Sequence, residues 1–270
     1  MRKKKKTAFV LSGGGVFGAV QVGMVKALYE AEIRPDLIVG CSVGALNGAV
    51  LAQWPGGEGL ERLIATWQKT RQIEIFSGSK VARLLRAFRD DHIFPRDGLE
   101  QIVDENLRFE LIEELPIEFK AVACDLDTGE EVVLSSGPIR PALLASSALP
   151  GAFAPVIYEG RRLIDGGVVN NVPITVADRK DVSKLYVLNV AAEIEIEATK
   201  TAWDVVYRAF NIAKAQRWLS ELQRYASDER VVVMPRPEIE TVDFDDFSRV
   251  DQLMESGYSM SREYLKRLAA

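Results

Sequence analysis

Residues 7–23, TAFVLSGGGVFGAVQVG, pass from an apolar run through glycines into a helical pattern within one short stretch. TAFVL at 7–11 has the length and apolarity of a buried strand, and over 16–31 Val16, Val20, Met24, Ala27 and Leu28 recur at helical spacing. A strand that turns directly into a helix is the opening unit of a mainly parallel sheet, because a parallel neighbour needs a crossover to return the chain to the same end.

The alternation continues along the chain. DLIVG at 36–40 reads as the next strand and feeds a helix from about Val43. Helical patterns follow at 59–70, 80–89 and 97–107, then strands at 117–126 and 130–134 joined by the turn signal DTG. A helix of small residues near 138–148, strands at 161–164 and 184–190, a long helical pattern over 201–226, a strand at 230–234 and a helix at 250–268 complete the chain. The expected fold is α/β: a three-layer α/β/α sandwich whose central sheet is mainly parallel. With 270 residues, 47% of them hydrophobic, and no linker-like stretch, a single domain over 1–270 is expected.

Charge and cysteine content narrow the function classes. A net charge of −5 argues against nucleic acid as the main partner. The basic run at 1–6, MRKKKK, reads as a solvated tail, with an anionic membrane surface as the alternative contact. It does not read as a secretory leader, since glycines interrupt the apolar run after TAFVL, and no run of about 18 apolar residues would span a bilayer. Cys41 and Cys124 are too few for a disulfide framework, and with one histidine no zinc site is expected. These features fit a cytoplasmic setting, with peripheral membrane contact as an option.

The glycine run has two chemical readings. Gly13, Gly15 and Gly18 satisfy the dinucleotide fingerprint G-x-G-x-x-G between strand and helix, which makes a nucleotide-dependent oxidoreductase the rival reading. That reading needs an acidic residue at the end of the second strand to bind ribose. The strand instead ends in GCSVG, residues 40–44, a G-x-S-x-G pattern between strand and helix. Gly40 and Gly44 let the backbone cross sharply, and Ser42 stands exposed at a helix N-terminus as a candidate nucleophile. The glycine loop then supplies amide N–H groups to the oxyanion that forms when Ser42 attacks a carbonyl. Gly18 and Gly23 are read as positions that permit close helix-to-strand packing.

A serine nucleophile needs a base. His92, in the charged stretch FRDDHIF, reads as a surface histidine, while Asp165 in RRLIDGGVVNNVP follows a strand and precedes Gly166 and Gly167. An Asp-Gly pair alone is an ordinary turn signal. Taken together and in order, GGGVFG, GCSVG and DGG resemble the patatin-like phospholipase family, and FKAVACDLDTGEEVVL and ASSALPGAFAPV resemble its internal blocks. The resemblance covers about residues 7–190 and implies a lipid acyl hydrolase with a Ser-Asp dyad and no cofactor or metal. It makes Ser42 the nucleophile, Asp165 the base and Gly13, Gly14 and Gly15 the oxyanion loop. This chain departs from the family pattern at Phe17, where a basic residue is usual. The alternatives are the nucleotide-dependent oxidoreductase and a catalytically idle, membrane-binding protein of the same fold.

The substrate side is expected from 54–96, as a lid or acyl-pocket region. Within it, KVARLLRAFR at 80–89 places apolar and basic residues on opposite faces, read first as a core-packed helix and second as a membrane-surface helix.

Overall fold

The computed structural model describes residues 5–71, 73, 75, 90–191, 202–238 and 246–269. Among these residues eight strands form one sheet: β1 Lys6–Leu11, β2 Leu37–Cys41, β3 Glu118–Asp125, β4 Glu131–Leu134, β5 Val156–Tyr158, β6 Arg161–Asp165, β7 Val182–Leu188 and β8 Val231–Val233. Hydrogen-bonded pairing runs β5-β6-β3-β2-β1-β7-β8, with β4 also paired to β3. The run β3-β2-β1-β7-β8 is parallel, and β4, β5 and β6 make the antiparallel margin. Helices are α1 Gly18–Glu30, α2 Val43–Gln53, α3 Gly57–Thr70, α4 Asp97–Glu105, α5 Ile139–Ser146, α6 Gly167–Asn170, α7 Ile174–Ala177, α8 Ala202–Tyr225 and α9 Val250–Ala269.

The period of the strands divides the core into two layers. Phe9, Leu11 and Ile38 face the cluster formed with α1, α2 and α3, while Ala8, Val10, Leu37 and Val39 face Val172, Ile174 and Tyr225 on the other side. Helix α1 is buried along nearly its whole length because α9 covers its outer side, through Val250, Leu253, Gly257 and Ser261 at helical spacing. The two helices cross at van der Waals contact of their backbones: a Cβ at Gly23 would lie 2.0 Å from Met254 O, and one at Gly257 would lie 2.3 Å from Val20 O.

The three-layer α/β/α architecture agrees with the sequence reading, and the differences are local. The three-residue strand β5 carries no alternating signal and was not expected. The strand anticipated at 184–190 is shifted to Val182–Leu188. Asn189 and Val190 have left the sheet, and the Val190 N–H donates to Ser12 Oγ at 2.8 Å, bracing the glycine loop. The anticipated helix at 80–89 and the first four residues of the basic tail lie outside the described residues. Among the described residues no helix is long and apolar enough to cross a membrane.

The topology decides where a site can form. Proceeding from β1, the strands run to one side through β2 and β3 and to the other through β7 and β8. The loops after β1, β2 and β7 therefore open at the same carboxyl edge, around the point where the order reverses.

Candidate active site

Ser42 sits between β2 and α2 with φ 53° and ψ −128°, a conformation that L-residues rarely hold. Glycines on either side let the chain pass closely here. A Cβ at Gly40 would approach Gly44 O to 2.4 Å, and one at Gly44 would approach Leu11 O to 2.3 Å. Hydrogen bonds secure the turn: the Ser42 N–H donates to Ser146 Oγ at 3.0 Å, and its carbonyl accepts from the Ala45 N–H at 2.8 Å. Ser146 in turn donates to Val122 O at 2.6 Å, so α5 anchors the turn to β3.

Asp165 reaches Ser42 through register along β3. Strand β2 pairs with Glu118–Val122 and ends with Cys41 opposite Val122. Because Ala123 pairs with Val132 of β4 as well as Asp165 of β6, β6 must occupy the same edge of β3 as β2. Running antiparallel, it ends with Asp165 opposite Ala123, one residue beyond the end of β2. The two strands thus meet carboxyl end to carboxyl end, and Ser42 and Asp165 line the same cavity. The glycines after Asp165 are dictated by this meeting. A Cβ at Gly166 would lie 2.3 Å from Val122 O, and one at Gly167 would lie 2.9 Å from Asp165 Oδ1.

The carboxyl group is buried, 3% exposed. Burial raises its pKa, and the nearby Ser42 hydroxyl, the Gly167 N–H at 2.7 Å from Oδ1 and the charge of Lys214 act in the opposite direction. Beneath it lies Cys41, fully buried, with Sγ 3.9 Å from Asp165 Oδ1 and its thiol pKa pushed well up by burial. Cys41 is an inert neutral neighbour.

The glycine loop is fastened at Gly13. Gly13 packs against the site so closely that a Cβ there would lie 3.1 Å from Ser42 Cβ and 2.5 Å from Asn171 Oδ1. Its N–H donates to Asn171 O at 3.2 Å, and its carbonyl accepts from Asn171 Nδ2 at 3.3 Å. The N–H groups of Gly14 and Gly15 meet no acceptor among the described residues. Both glycines line the cavity, and Gly15 has φ 57°.

Behind the loop runs a buried polar chain. Gln21 donates to Ser12 O and Leu188 O at 2.9 and 3.0 Å, Asn47 donates to Gln21 Oε1 at 2.9 Å, and Trp67 donates to Asn47 Oδ1 at 2.9 Å. Such a chain holds the loop against α1, α2 and α3 at once. Phe17 fills the space beside it, and the guanidinium of Arg236 lies 5.4 Å from the Phe17 ring centroid while donating to Ala191 O. A cation therefore does stand near the loop, supplied from the segment after β8.

The cavity, about 160 Å³, continues from Ser42 between α2, α3, α4 and α5. Leu46, Val50, Leu63, Leu99, Val103 and Leu143 line this arm, and it contains no charged side chain among the described residues. Of the stretch 54–96, expected as a lid or acyl-pocket region, Leu63, Thr66, Trp67, Thr70 and Ile75 line the cavity, and residues 72, 74 and 76–89 lie outside the description. His92 is half-buried, pairs with Asp91 Oδ1 at 2.9 Å and does not line the cavity.

Sequence reasoning did not single out Ser146, Asn171, Gln21, Asn47 or Lys214. For Gln21 and Asn47 a signal existed: each is a lone polar residue inside an apolar helical run, GAVQVGMV and GALNGAV. A buried amide in such a place must find partners. Lys214 had no such signal, since a lysine on a long polar helix ordinarily faces solvent.

A sequence profile described as patatin-like phospholipase matches residues 9–178. The chain belongs to the patatin-like phospholipase family. It is 34% identical over 172 residues to a patatin-like phospholipase domain-containing protein of Caenorhabditis elegans, covering 62% of this chain and 12% of that one. To lysophospholipase nte1 of Aspergillus terreus it is 25% identical over 290 residues, covering 98% of this chain and 18% of that one. An uncharacterised NTE family protein of Mycobacterium bovis is 34% identical over 169 residues, 63% of this chain and 44% of that one. The chain thus spans less than half the length of each of these relatives.

Proposed function

We propose that this patatin-like chain is a serine hydrolase that cleaves the carboxylic esters of long-chain lipids through an acyl-enzyme. One observation carries the reading: Ser42, Asp165 and two uncommitted backbone donors, the N–H groups of Gly14 and Gly15, converge at one end of a cavity whose long arm is apolar.

The chemistry follows from those positions. Ser42 Oγ attacks the ester carbonyl carbon while Asp165 takes the hydroxyl proton. Negative charge gathers on the carbonyl oxygen and is held by the Gly14 and Gly15 N–H groups. Gly13, whose N–H is given to Asn171 O, contributes close approach in place of a donor. The tetrahedral intermediate collapses, the alcohol leaves with the proton from Asp165, and the acyl group stays on Ser42. Water, deprotonated by Asp165, then attacks the acyl carbon, and the fatty acid is released as the bond to Ser42 Oγ breaks and Asp165 returns the proton to that oxygen. The apolar arm accommodates the chain, and burial there contributes about 0.8 kcal/mol per CH₂.

A fluorophosphonate probe with mass mapping tests the reading directly. A single adduct at Ser42, blocked by prior incubation with a long-chain ester, is expected; labelling elsewhere, or none, overturns it. The donor assignment has its own test in Gly14→Ala. The added methyl would stand 3.0 Å from both Val190 Cγ2 and Val190 O, forcing the loop to shift. Loss or displacement of an oxyanion donor lowers kcat by about 10² to 10³ with little change in KM. A kcat within about threefold of the parent would remove the Gly14 N–H from the mechanism.

A further inference from the structure

Two charged side chains line the described part of the cavity, Asp165 and Lys214. The chemistry above uses the first and leaves the second without a task. Lys214 projects from α8, the helix whose Trp218 and Tyr225 pack on the sheet face opposite the apolar arm. Its stem lies against the Asp-Gly-Gly turn, with Cδ 3.3 Å from where a Gly167 Cβ would be, and its ammonium stands 4.7 Å from the centroid of the Phe210 ring. Among the described residues the ammonium donates no hydrogen bond and forms no contact ion pair.

This is an unusual position for a lysine. An ammonium carries three donors and is strongly hydrated, and side chains of this type reach solvent or a carboxylate wherever the stem permits. Here the charge is held at the edge of a cavity, over an aromatic face that favours a cation but satisfies none of its donors. Burial lowers its pKa, and the charge of Asp165 acts to raise it. Cys41, the other titratable group nearby, is neutral. Lys214 lines the cavity beside the Asp-Gly-Gly turn, away from the arm between α2, α3, α4 and α5, so an ester whose acyl chain fills that arm has its alcohol portion left for the Lys214 side.

We propose that Lys214 is a specificity residue of this site, whose ammonium receives the phosphate of a phosphoglyceride while its acyl ester lies at Ser42. The proposal rests on the hydrolase reading for the ester, and on the geometry of Lys214 alone for the phosphate.

The test compares two substrates with the same acyl chain, a lysophosphatidylglycerol and the corresponding monoacylglycerol. Wild type is expected to prefer the phosphate-bearing ester, and Lys214→Met is expected to reduce that preference, as the ratio of kcat/KM values, by about 10- to 100-fold, chiefly through KM. Lys214→Arg should recover most of it. If Lys214→Met lowers kcat equally on both esters and moves the acid limb of the rate profile upward, Lys214 acts on Asp165 and the proposal fails. An unchanged ratio also overturns it. Should Lys214→Met fold poorly, Lys214→Gln makes the same comparison.

A second arm separates this proposal from the hydrolase reading. An ether-linked lysophospholipid cannot be cleaved, and its binding below the micelle concentration is read by calorimetry. Weaker binding to Lys214→Met in a protein that hydrolyses neither ester would sink the hydrolase reading and keep the phosphate contact. Equal binding would sink the phosphate contact. Inorganic phosphate serves as the competitor: if it displaces the ether lipid at concentrations comparable to the lipid's own Kd, the site recognises free phosphate and the lipid assignment is overturned.

Discussion

Replacing Ser42 by alanine is expected to lower kcat/KM on any long-chain ester by about 10⁴- to 10⁶-fold, the loss that follows when a nucleophile is removed from a cooperating set. The fold should survive, because what holds the turn is backbone and neighbour. The Ser42 N–H still reaches Ser146 Oγ, the Ser42 carbonyl still accepts from Ala45, and Gly40 and Gly44 still cross without obstruction. Thermal melts of Ser42→Ala and the parent should therefore superimpose. Ser42→Gly adds a second readout. At φ 53° and ψ −128° any Cβ is strained, so glycine should be equally inactive yet more stable than alanine by roughly 1 kcal/mol. Residual activity above about a tenth of the parent would place the nucleophile elsewhere.

Asp165→Asn is expected to lower kcat by about 10² to 10⁴, the range for loss of a general base. The amide still accepts from the Gly167 N–H but cannot take the Ser42 proton. The pH profile carries a sign that follows from burial. Because burial raises the Asp165 pKa in the folded protein, the acid limb of kcat/KM should lie above the ordinary carboxylate range near 3.9. It should be unaffected by His92→Ala, since His92 does not line the cavity. The same shift has a stability consequence. A carboxyl whose folded pKa is raised favours the folded state when protonated, so its contribution is fully present below the unfolded pKa and is lost as pH rises through the folded value. At neutral pH the charged Asp165 is thus a burden on the fold. Asp165→Asn should melt above the parent at pH 7, with the difference closing as the pH falls below the ordinary carboxylate range. A variant that stays active, or that melts below the parent at neutral pH, would contradict this account.

These expectations draw unequally on sequence and structure. The strand, glycine turn and helix around GGGVFG and GCSVG were legible because each is specified by its own few residues. Apolar period, a small turn and backbone approach distances act over less than a dozen positions. That Gly18 and Gly23 serve close packing was legible too, but the partner was not a strand: a Cβ at Gly18 would meet Val43 and Trp67, and one at Gly23 would meet Met254 O, so both positions pack against other helices. What could not be read was which donors point where. Gly13, Gly14 and Gly15 are identical in sequence, yet Gly13 gives its N–H to Asn171 O, a partner 158 positions away along the chain.

Asp165 marks the boundary between the two kinds of information. From composition and spacing alone it is an aspartate before two glycines, a pattern shared with ordinary turns, and only resemblance to a family separated it from them. Its place beside Ser42 depends on β2 and β6 sharing one edge of β3, so that Cys41 opposite Val122 and Asp165 opposite Ala123 bring two carboxyl ends together. Antiparallel pairing of a late strand with an earlier one is a long-range event that no local pattern specifies. Lys214 is the further case, brought to the cavity by a helix that crosses the sheet face opposite the apolar arm. The sequence by itself determined the alternating α/β fold and the strand-to-helix turn at Ser42, because both follow from local sterics and hydrophobic period. Only the tertiary structure decided the carboxylate's partner, the donors left free and the charge beside them, because those depend on strand register and on which helix face the packed sheet leaves turned toward the cavity.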